Sequence, residues 1–497
     1  MRPFLRYPLF ARLFARRSPI MEPLIAIVGA TGTGKSKLAV DLATRFNGEI
    51  INGDAMQMYR GLPIITNQIP MDERNGIPHH LISCIDLEEE PWRIGLFKSE
   101  CLRIIKDIHS RGKLPILVGG THYYTQAVLF KGQLVGEGSD EFQGSGALSD
   151  RETEEPSTKW PILDAPTDVV LQKLREVDPV MADRWHPNDS RKIRRSLEIY
   201  FQTGRPASEV YAEQKRLKQT ALANGDPTVG EGQLRFSTMV FWIHSEKEAL
   251  IARLEKRVDA MIEQGLLSEA QRMSDYIRER RTQGSSIDPT RGVWVAIGFK
   301  ELAPYFEALH KSSLSVDELE SLKKSCIESI KIATRQYSAS QIKWIRNKLW
   351  NSLAETGMTH RLYLLDSTNV GDWGSCITEP SELLTQALLK DESTPDPKSF
   401  SELARTILGA KEARSQKGPG SAAKCFTCHI CRKTMVNEEQ WHIHLNGHSH
   451  KRVLKAMAKR AEREESLQAR KESTGRISCD KGSESLEEQS SLSDLFQ

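Results

Sequence analysis

Long apolar runs, an excess of one charge and a cysteine framework are all missing from this 497-residue chain. No apolar stretch approaches the roughly 20 residues that a spanning helix needs, so no membrane partner is expected. Sixty-nine basic residues against 66 acidic ones leave a net charge of +3. A chain so balanced binds nucleic acid only through local patches. The eight cysteines are Cys84, Cys101, Cys326, Cys376, Cys425, Cys428, Cys431 and Cys479. Five are scattered and three crowd together, which speaks against a disulfide scaffold and for a reducing compartment with one local metal site. Internal repeats are not visible. What is present is 39% hydrophobic residues, enough for a sizeable core, over a length that suggests about three units.

Acids are also missing before Glu22. Arg2, Arg6, Arg12, Arg16 and Arg17 alternate there with Phe4, Leu5, Leu9, Phe10, Leu13 and Phe14. An amphipathic, arginine-rich, acid-poor arm has the pattern of a mitochondrial presequence. A plain disordered basic arm is the alternative. A second start at Met21 would give a form without the arm, so mitochondrial and cytoplasmic locations are both expected.

Residues 29–36 read Gly-Ala-Thr-Gly-Thr-Gly-Lys-Ser and fit G-x-x-x-x-G-K-[ST] without mismatch. Pro23 to Val28 reads as a short buried strand and Lys35 to Phe46 as a helix, with Leu38, Leu42 and Phe46 on one face. A strand feeding a glycine turn at a helix start makes an anion cradle, because backbone N–H groups point inward and the helix dipole favours negative charge. Gly29, Ala30, Thr31, Gly32, Thr33 and Gly34 would form the cradle. Lys35 would reach a phosphate oxygen and Ser36 would help hold Mg²⁺. The motif specifies a polyphosphate or pyrophosphate, not the reaction.

Further strands are expected at 49–52, 80–85, 114–118, 238–243 and 361–365, with a helix at Ile94–His109 between two of them. This alternation predicts an α/β fold: a P-loop NTPase-like parallel sheet with flanking helices. Residues 134–160 are rich in Gly, Ser and acids and read as a disordered loop. A mostly helical insertion with a basic cluster extends to about 235. Residues 278–291 read as a polar loop, 294–349 as helices and 367–424 as a polar linker.

Cys428-x₂-Cys431, followed after twelve residues by His444-x₅-His450, is a two-cysteine, two-histidine zinc pattern in a small ββα-like finger at 425–452. Cys425, His429, His442 and His448 are near misses, so the ligand set is not forced. A module this small needs its metal to fold. Lys451, Arg452, Lys455, Lys459, Arg460 and Arg463 follow as a basic helical run that suits RNA or a nuclear address, or is only a solvated helix face.

Five ordered motifs accompany the phosphate loop. Gly53-Asp54-Ala55-Met56-Gln57-Met58-Tyr59-Arg60 ends the second strand, and Gly119-Gly120-Thr121-His122-Tyr123-Tyr124 ends a later one. Trp185 to Glu198 opens a basic helix, and Ala296-Ile297-Gly298-Phe299-Lys300-Glu301 and Thr334-Arg335-Gln336-Tyr337 follow. Over about 23–366 the chain resembles the tRNA dimethylallyltransferase (tRNA isopentenyltransferase) family, and the finger resembles that of its eukaryotic members. The resemblance implies transfer of a dimethylallyl group from dimethylallyl diphosphate to N6 of adenosine 37 in the tRNA anticodon stem-loop, with diphosphate released. It implies that Asp54 is the general base, that Thr121 lies near the reacting centre, and that Lys35 stabilises the leaving diphosphate. It further implies that Asp54, Ala55, Met56 and Gln57 meet the base, and that Arg191, Lys192, Arg194 and Arg195, in a tRNA-binding insertion at about 125–235, meet tRNA. A monomer with Mg²⁺ and structural Zn²⁺ completes the expectation.

Some positions depart from the family pattern. Ser338-Ala339-Ser340-Gln341 stands where Ala-Lys-Arg-Gln is common, and Val295 replaces a glutamine. Competing readings are a small-molecule kinase with the same loop, and a zinc-finger RNA-binding protein with a decayed enzyme domain. Against a standard nucleotide hydrolase, the strand at 114–118 ends in Gly119-Gly120 rather than an acidic Mg²⁺ partner.

Overall fold

The computed structural model describes residues 22–131, 160–213, 216, 234–285, 287–311, 314–416, 426–431, 433–435 and 438–460. The arginine-rich arm and nearly all of the 134–160 loop lie outside them. Two compact units emerge: Met1–Gly144 with Ala212–Gly418, and Ser145–Tyr211 with Pro419–Gln497.

The first unit is built on a six-stranded sheet. Its strands are β1 (Pro23–Gly29), β2 (Gly48–Asn52), β3 (His79–His80), β4 (Leu114–Val118), β5 (Ser237–His244) and β6 (Leu362–Asp366). Their order is β3-β2-β4-β1-β5-β6 and every pairing is parallel. Parallel strands are covered on both faces, which is why β1 and β4 read as nearly unbroken apolar runs; β2 breaks the pattern with Glu49, whose buried carboxylate is paired with His80, Arg111 and Lys113. Alternation still sorts them. Leu24, Ala26 and Val28 of β1 face one core, with Ile51, Leu117, Val240, Trp242, Leu362 and Leu364. Ile25 and Ile27 face the other, with Ile50, Ile116, Met239, Phe241, Ile243 and Tyr363.

Helices fill both cores. On the second face lie α1 (Lys35–Arg45), through Leu38, Ala39 and Leu42, and a late helix, Glu379–Lys390, through Leu384 and Leu388. On the first face lies α2 (Ile94–Ser110), through Phe97, Cys101, Ile104, Ile105 and Ile108. It is joined there by α3 (His122–Leu129) through Val128 and Leu129. Truncating a fully buried side chain such as Leu42 to Ala in such a core costs about 2–5 kcal/mol.

Three expectations change. The strand at 80–85 is only two residues long, because Leu81 and Ser83 take left-handed backbone (φ 57° and 51°) and turn the chain. The polar linker at 367–424 contains two helices, Glu379–Lys390 and Glu402–Gln416, whose Leu384, Leu388, Ala404 and Leu408 are core residues. The polar loop at 278–291 shortens, because the helix Leu266–Thr282 runs into it. At the base of the insertion Phe130 pairs antiparallel with Leu234, so 125–130 belongs to the sheet unit.

In the second unit the insertion supplies α4 (Thr167–Val177), α5 (Pro179–Arg184) and α6 (Ser190–Thr203). Asp178 caps α5 by accepting from Met181 N, and Asp189 caps α6 by accepting from Lys192 N. Gly204, left-handed at φ 69°, ends α6. The finger is a hairpin, β7 (Phe426–Cys428) and β8 (Lys433–Met435), followed by the helix Glu438–Asn446.

Candidate active site

Three strand ends converge at the carboxyl edge of the sheet, where open parallel sheets bind ligands. β1 runs into the glycine loop, β2 ends before Asp54, and β4 ends before Thr121. The loop keeps its shape through left-handed glycines at 32 and 34 (φ 83° and 92°), a conformation costly for any residue with a Cβ. Thr33 is buried and its hydroxyl donates to Ala30 O at 2.9 Å. Lys35 Nζ donates to the same carbonyl at 2.8 Å. Burial lowers the Lys35 pKa to about 8, Asp54 opposes that shift and Arg257 adds to it.

Asp54 is held from three directions. Its backbone N–H donates to Asn52 Oδ1 (3.0 Å), and buried Asn52 donates through Nδ2 to Asp54 O (2.9 Å) and Leu81 O (2.7 Å). Its own carboxylate accepts from Met56 N at 3.0 Å. Thr121 Oγ1 accepts from Ala55 N (3.1 Å), so the β2 and β4 ends are tied side by side. A Cβ at Gly120 would collide with the Asp54 carboxylate, so glycine is what lets that carboxylate sit there. Burial raises the Asp54 pKa, opposed by the Met56 N–H and by Lys35. A carboxylate with a raised pKa and a cation on its far side is a serviceable base beside an anion site.

Four residues that sequence reasoning had not placed complete the site. Gln341, on the long helix α10 (Val316–Trp344 in the run of four helices Lys247–Glu263, Leu266–Thr282, Phe299–Lys311 and this one, α7 to α10), spans the centre. Its Oε1 accepts from Thr31 N (2.7 Å) and its Nε2 donates to Gly120 O (2.9 Å). One buried amide thus joins the phosphate loop to the β4 end. Arg257 of α7 donates to Thr31 Oγ1 at 2.8 Å, and burial lowers its pKa to about 10. Tyr337 leans on Gly120 O from α10, with burial and Asp54 pushing its pKa up. His122 is buried beside Trp344, its ring centroid 5.3 Å away. Burial, helped by Lys35, holds its pKa at about 3, so it stays neutral. Gln341 sat in a motif noticed only for its missing basic residues. Arg257 left only the trace of a polar position among the apolar ones of α7.

Other expected residues fall as follows. Ala55, Met56 and Gln57 line the turn after Asp54, where Gln57 Nε2 donates to Asn67 O at 3.0 Å. Ser36 is exposed at the first turn of α1. Arg335 pairs with Glu255 and fixes α10 against α7. On α6, in the second unit, Lys192 pairs with Asp189 (2.6 Å), Arg194 with Asp164 (2.9 Å) and Arg195 with Glu198 (2.9 Å), while Arg191 is exposed.

In the finger, one donor atom from each of Cys428, Cys431, His444 and His450 lies within 4.8 Å of all the others. His450 Nδ1 is 3.6 Å from Cys428 Sγ and 3.3 Å from Cys431 Sγ. Those spacings fit tetrahedral coordination by thiolate and imidazole. His429, His442 and His448 are exposed and outside the group.

A phosphate-cradling loop on a parallel sheet, tied by one amide to the turn that carries a carboxylate, suits an enzyme that transfers a group from a di- or polyphosphate. The comparisons with known proteins narrow this. Residues 57–348 match the family model described as IPP transferase. The tRNA dimethylallyltransferase of Schizosaccharomyces pombe is 36% identical over 90% of this chain and 98% of its own length. That of Saccharomyces cerevisiae is 35% identical over 89% and 94%, and that of Homo sapiens 33% over 87% and 86%. A solved structure of a eukaryotic dimethylallyltransferase acting on tRNA superposes with a TM-score of 0.66 at 34% identity, covering 89% of this chain and 99% of the other. The chain belongs to the IPP transferase family.

Proposed function

We propose that this protein transfers a dimethylallyl group from dimethylallyl diphosphate to N6 of adenosine 37 of tRNA and releases diphosphate. The observation that carries the reading is the Gln341 bridge. It ties the phosphate cradle to Gly120, against which the half-buried Asp54 carboxylate sits, with a cation on one side and a base on the other.

The chemistry follows from that pairing. The N6–C1 bond forms as the C1–O bond to diphosphate breaks, and the bonding pair leaves with the diphosphate. Asp54 accepts the N6 proton. Lys35, Arg257 and the loop amides meet charge that grows on the leaving group, the contribution that most often dominates such steps. Neutral His122 adds no competing charge. N6 of a stacked base is out of reach, so adenosine 37 turns out of its loop toward Asp54 while the donor enters beside the phosphate loop.

Mg²⁺, held by Ser36 on the exposed side of the cradle, would neutralise diphosphate charge. Zn²⁺ on Cys428, Cys431, His444 and His450 would organise the finger. Arg191, Lys192, Arg194 and Arg195 would contact tRNA backbone; three of them are poised by acidic neighbours that phosphates can displace. We further propose a monomer found in mitochondria and cytoplasm, addressed by the arginine-rich arm, with a nuclear form directed by the basic run after the finger.

The test is incubation with unmodified tRNA and labelled dimethylallyl diphosphate, and separately with ATP. Prenylated adenosine at position 37 with no nucleotide hydrolysis is expected. ATP hydrolysis without prenylation would return the kinase-type reading.

A further inference from the structure

The loop that follows β6 reaches back to the phosphate cradle and ends the cradle on one side. The six-membered ring of Trp373 lies against Gly34: a Cβ on that glycine would sit 2.6 Å from ring atom Cζ3 and closer still to Cη2. The indole N–H points to Asp41 Oδ2 at 3.3 Å, and the Lys37 ammonium stands 5.3 Å from the ring centroid. The indole therefore covers the outer side of the first turns of α1. Its loop is stiffly held. Arg253 of α7 donates to Ser367 O (2.5 Å) and Thr368 O (2.7 Å), and Asn369 Nδ2 donates to Asp372 Oδ2 (2.7 Å).

A phosphate cradle at a helix start has two exits. One leads past Lys35 to Asp54 and Thr121. The other leads along the outside of α1, past Lys37. A nucleoside triphosphate seated with its terminal phosphate at Lys35 must carry sugar and base out by the second exit. There the aromatic ring is already in place. The Ser367 and Thr368 carbonyls of the same loop already accept from Arg253. An element that blocks a wrong ligand sets specificity as surely as one that attracts the right ligand.

We propose that Trp373 is a specificity-determining residue that closes the nucleoside exit, so that the loop accepts diphosphates and inorganic polyphosphates and rejects nucleoside triphosphates. The inference rests on the proposed function only in taking the loop as the diphosphate site.

The test is calorimetric titration of the full-length protein, with Mg²⁺, using inorganic triphosphate and ATP as probes. Wild type should bind ATP at least about tenfold more weakly than inorganic triphosphate. Trp373→Ala should gain about tenfold or more for ATP and shift by less than about threefold for inorganic triphosphate. Trp373→Phe, which keeps a ring over Gly34, should still exclude ATP. Equal affinities of the wild type for the two probes would overturn the proposal whether or not any variant folds. So would a Trp373→Ala protein that weakens both probes alike, which would make the indole a prop for the loop. Absence of prenyl transfer by the wild type, with the ATP result intact, would remove the proposed function and leave this gate standing.

Discussion

Lys35 makes the most demanding prediction, because its pKa of about 8 puts the loss of a catalytic charge within reach of an ordinary pH series. Burial disfavours the ammonium until an anion arrives. In the free enzyme, half of the Lys35 charge is gone at pH 8 and about nine-tenths at pH 9. The donor's kcat/KM at saturating tRNA should therefore fall about tenfold between pH 7 and pH 9. Bound diphosphate favours the ammonium, so the corresponding fall in kcat should lie at higher pH. Unfolding does not mimic this limb. With the folded pKa near 8 and the unfolded value at 10.5, the unfolded chain binds more protons between them, and Lys35 makes stability rise with pH in that window. Lys35→Arg keeps its charge throughout, so its lower activity should be flat from pH 7 to 9. Steady-state kinetics across pH for both proteins, with melting temperatures alongside, decide the matter. A wild-type profile flat to pH 9, or a Lys35→Arg profile that still falls at pH 8, would refute the assignment.

Asp54→Ala should fold and bind diphosphate but lose roughly 10²–10⁴ in transfer, as removal of a general base does; near-normal single-turnover rates would count against it. Gln341→Leu leaves Thr31 N–H without its partner and Gly120 C=O with only the longer Tyr337 contact, at a cost of about 1–3 kcal/mol, and should raise the donor KM. An unchanged urea midpoint and KM would show the bridge to be incidental. Replacing Cys428 and Cys431 with Ser, chelating the metal, or ending the chain at about residue 420 should each weaken tRNA binding and flatten its salt dependence while retaining some transfer. Identical dissociation constants across a salt series would exclude a tRNA-binding role for the finger.

Much of this site was legible because its chemistry is local in sequence. The glycine loop and the Gly119–Thr121 turn each follow a strand whose apolar run announces it, the Asp54 turn follows only the short Ile50-Ile51 pair, and the strands at 114–118 and 238–243 appear where their composition places them. The metal group was legible because ligand spacing nearly fixes its geometry. What escaped was non-local. Gln341 meets Thr31 across 310 positions and Arg257 meets it across 226, and no periodicity encodes such a meeting. Leu81 and Ser83 escaped for a different reason: a left-handed backbone at a non-glycine residue leaves no compositional mark. The helices at 379–390 and 402–416 were hidden by polar faces and by the prolines around them.

The strand order has a consequence for synthesis. β1 is one of the two central strands of the sheet, yet one of its two neighbours, β5, begins roughly 200 residues later in the chain. At typical elongation rates of about 5–20 residues per second, the nascent chain carries this apolar strand with one edge unpaired for about 10–40 s. A message truncated anywhere before the codon for Ser237 would release a polypeptide with that edge permanently open, a template for aggregation.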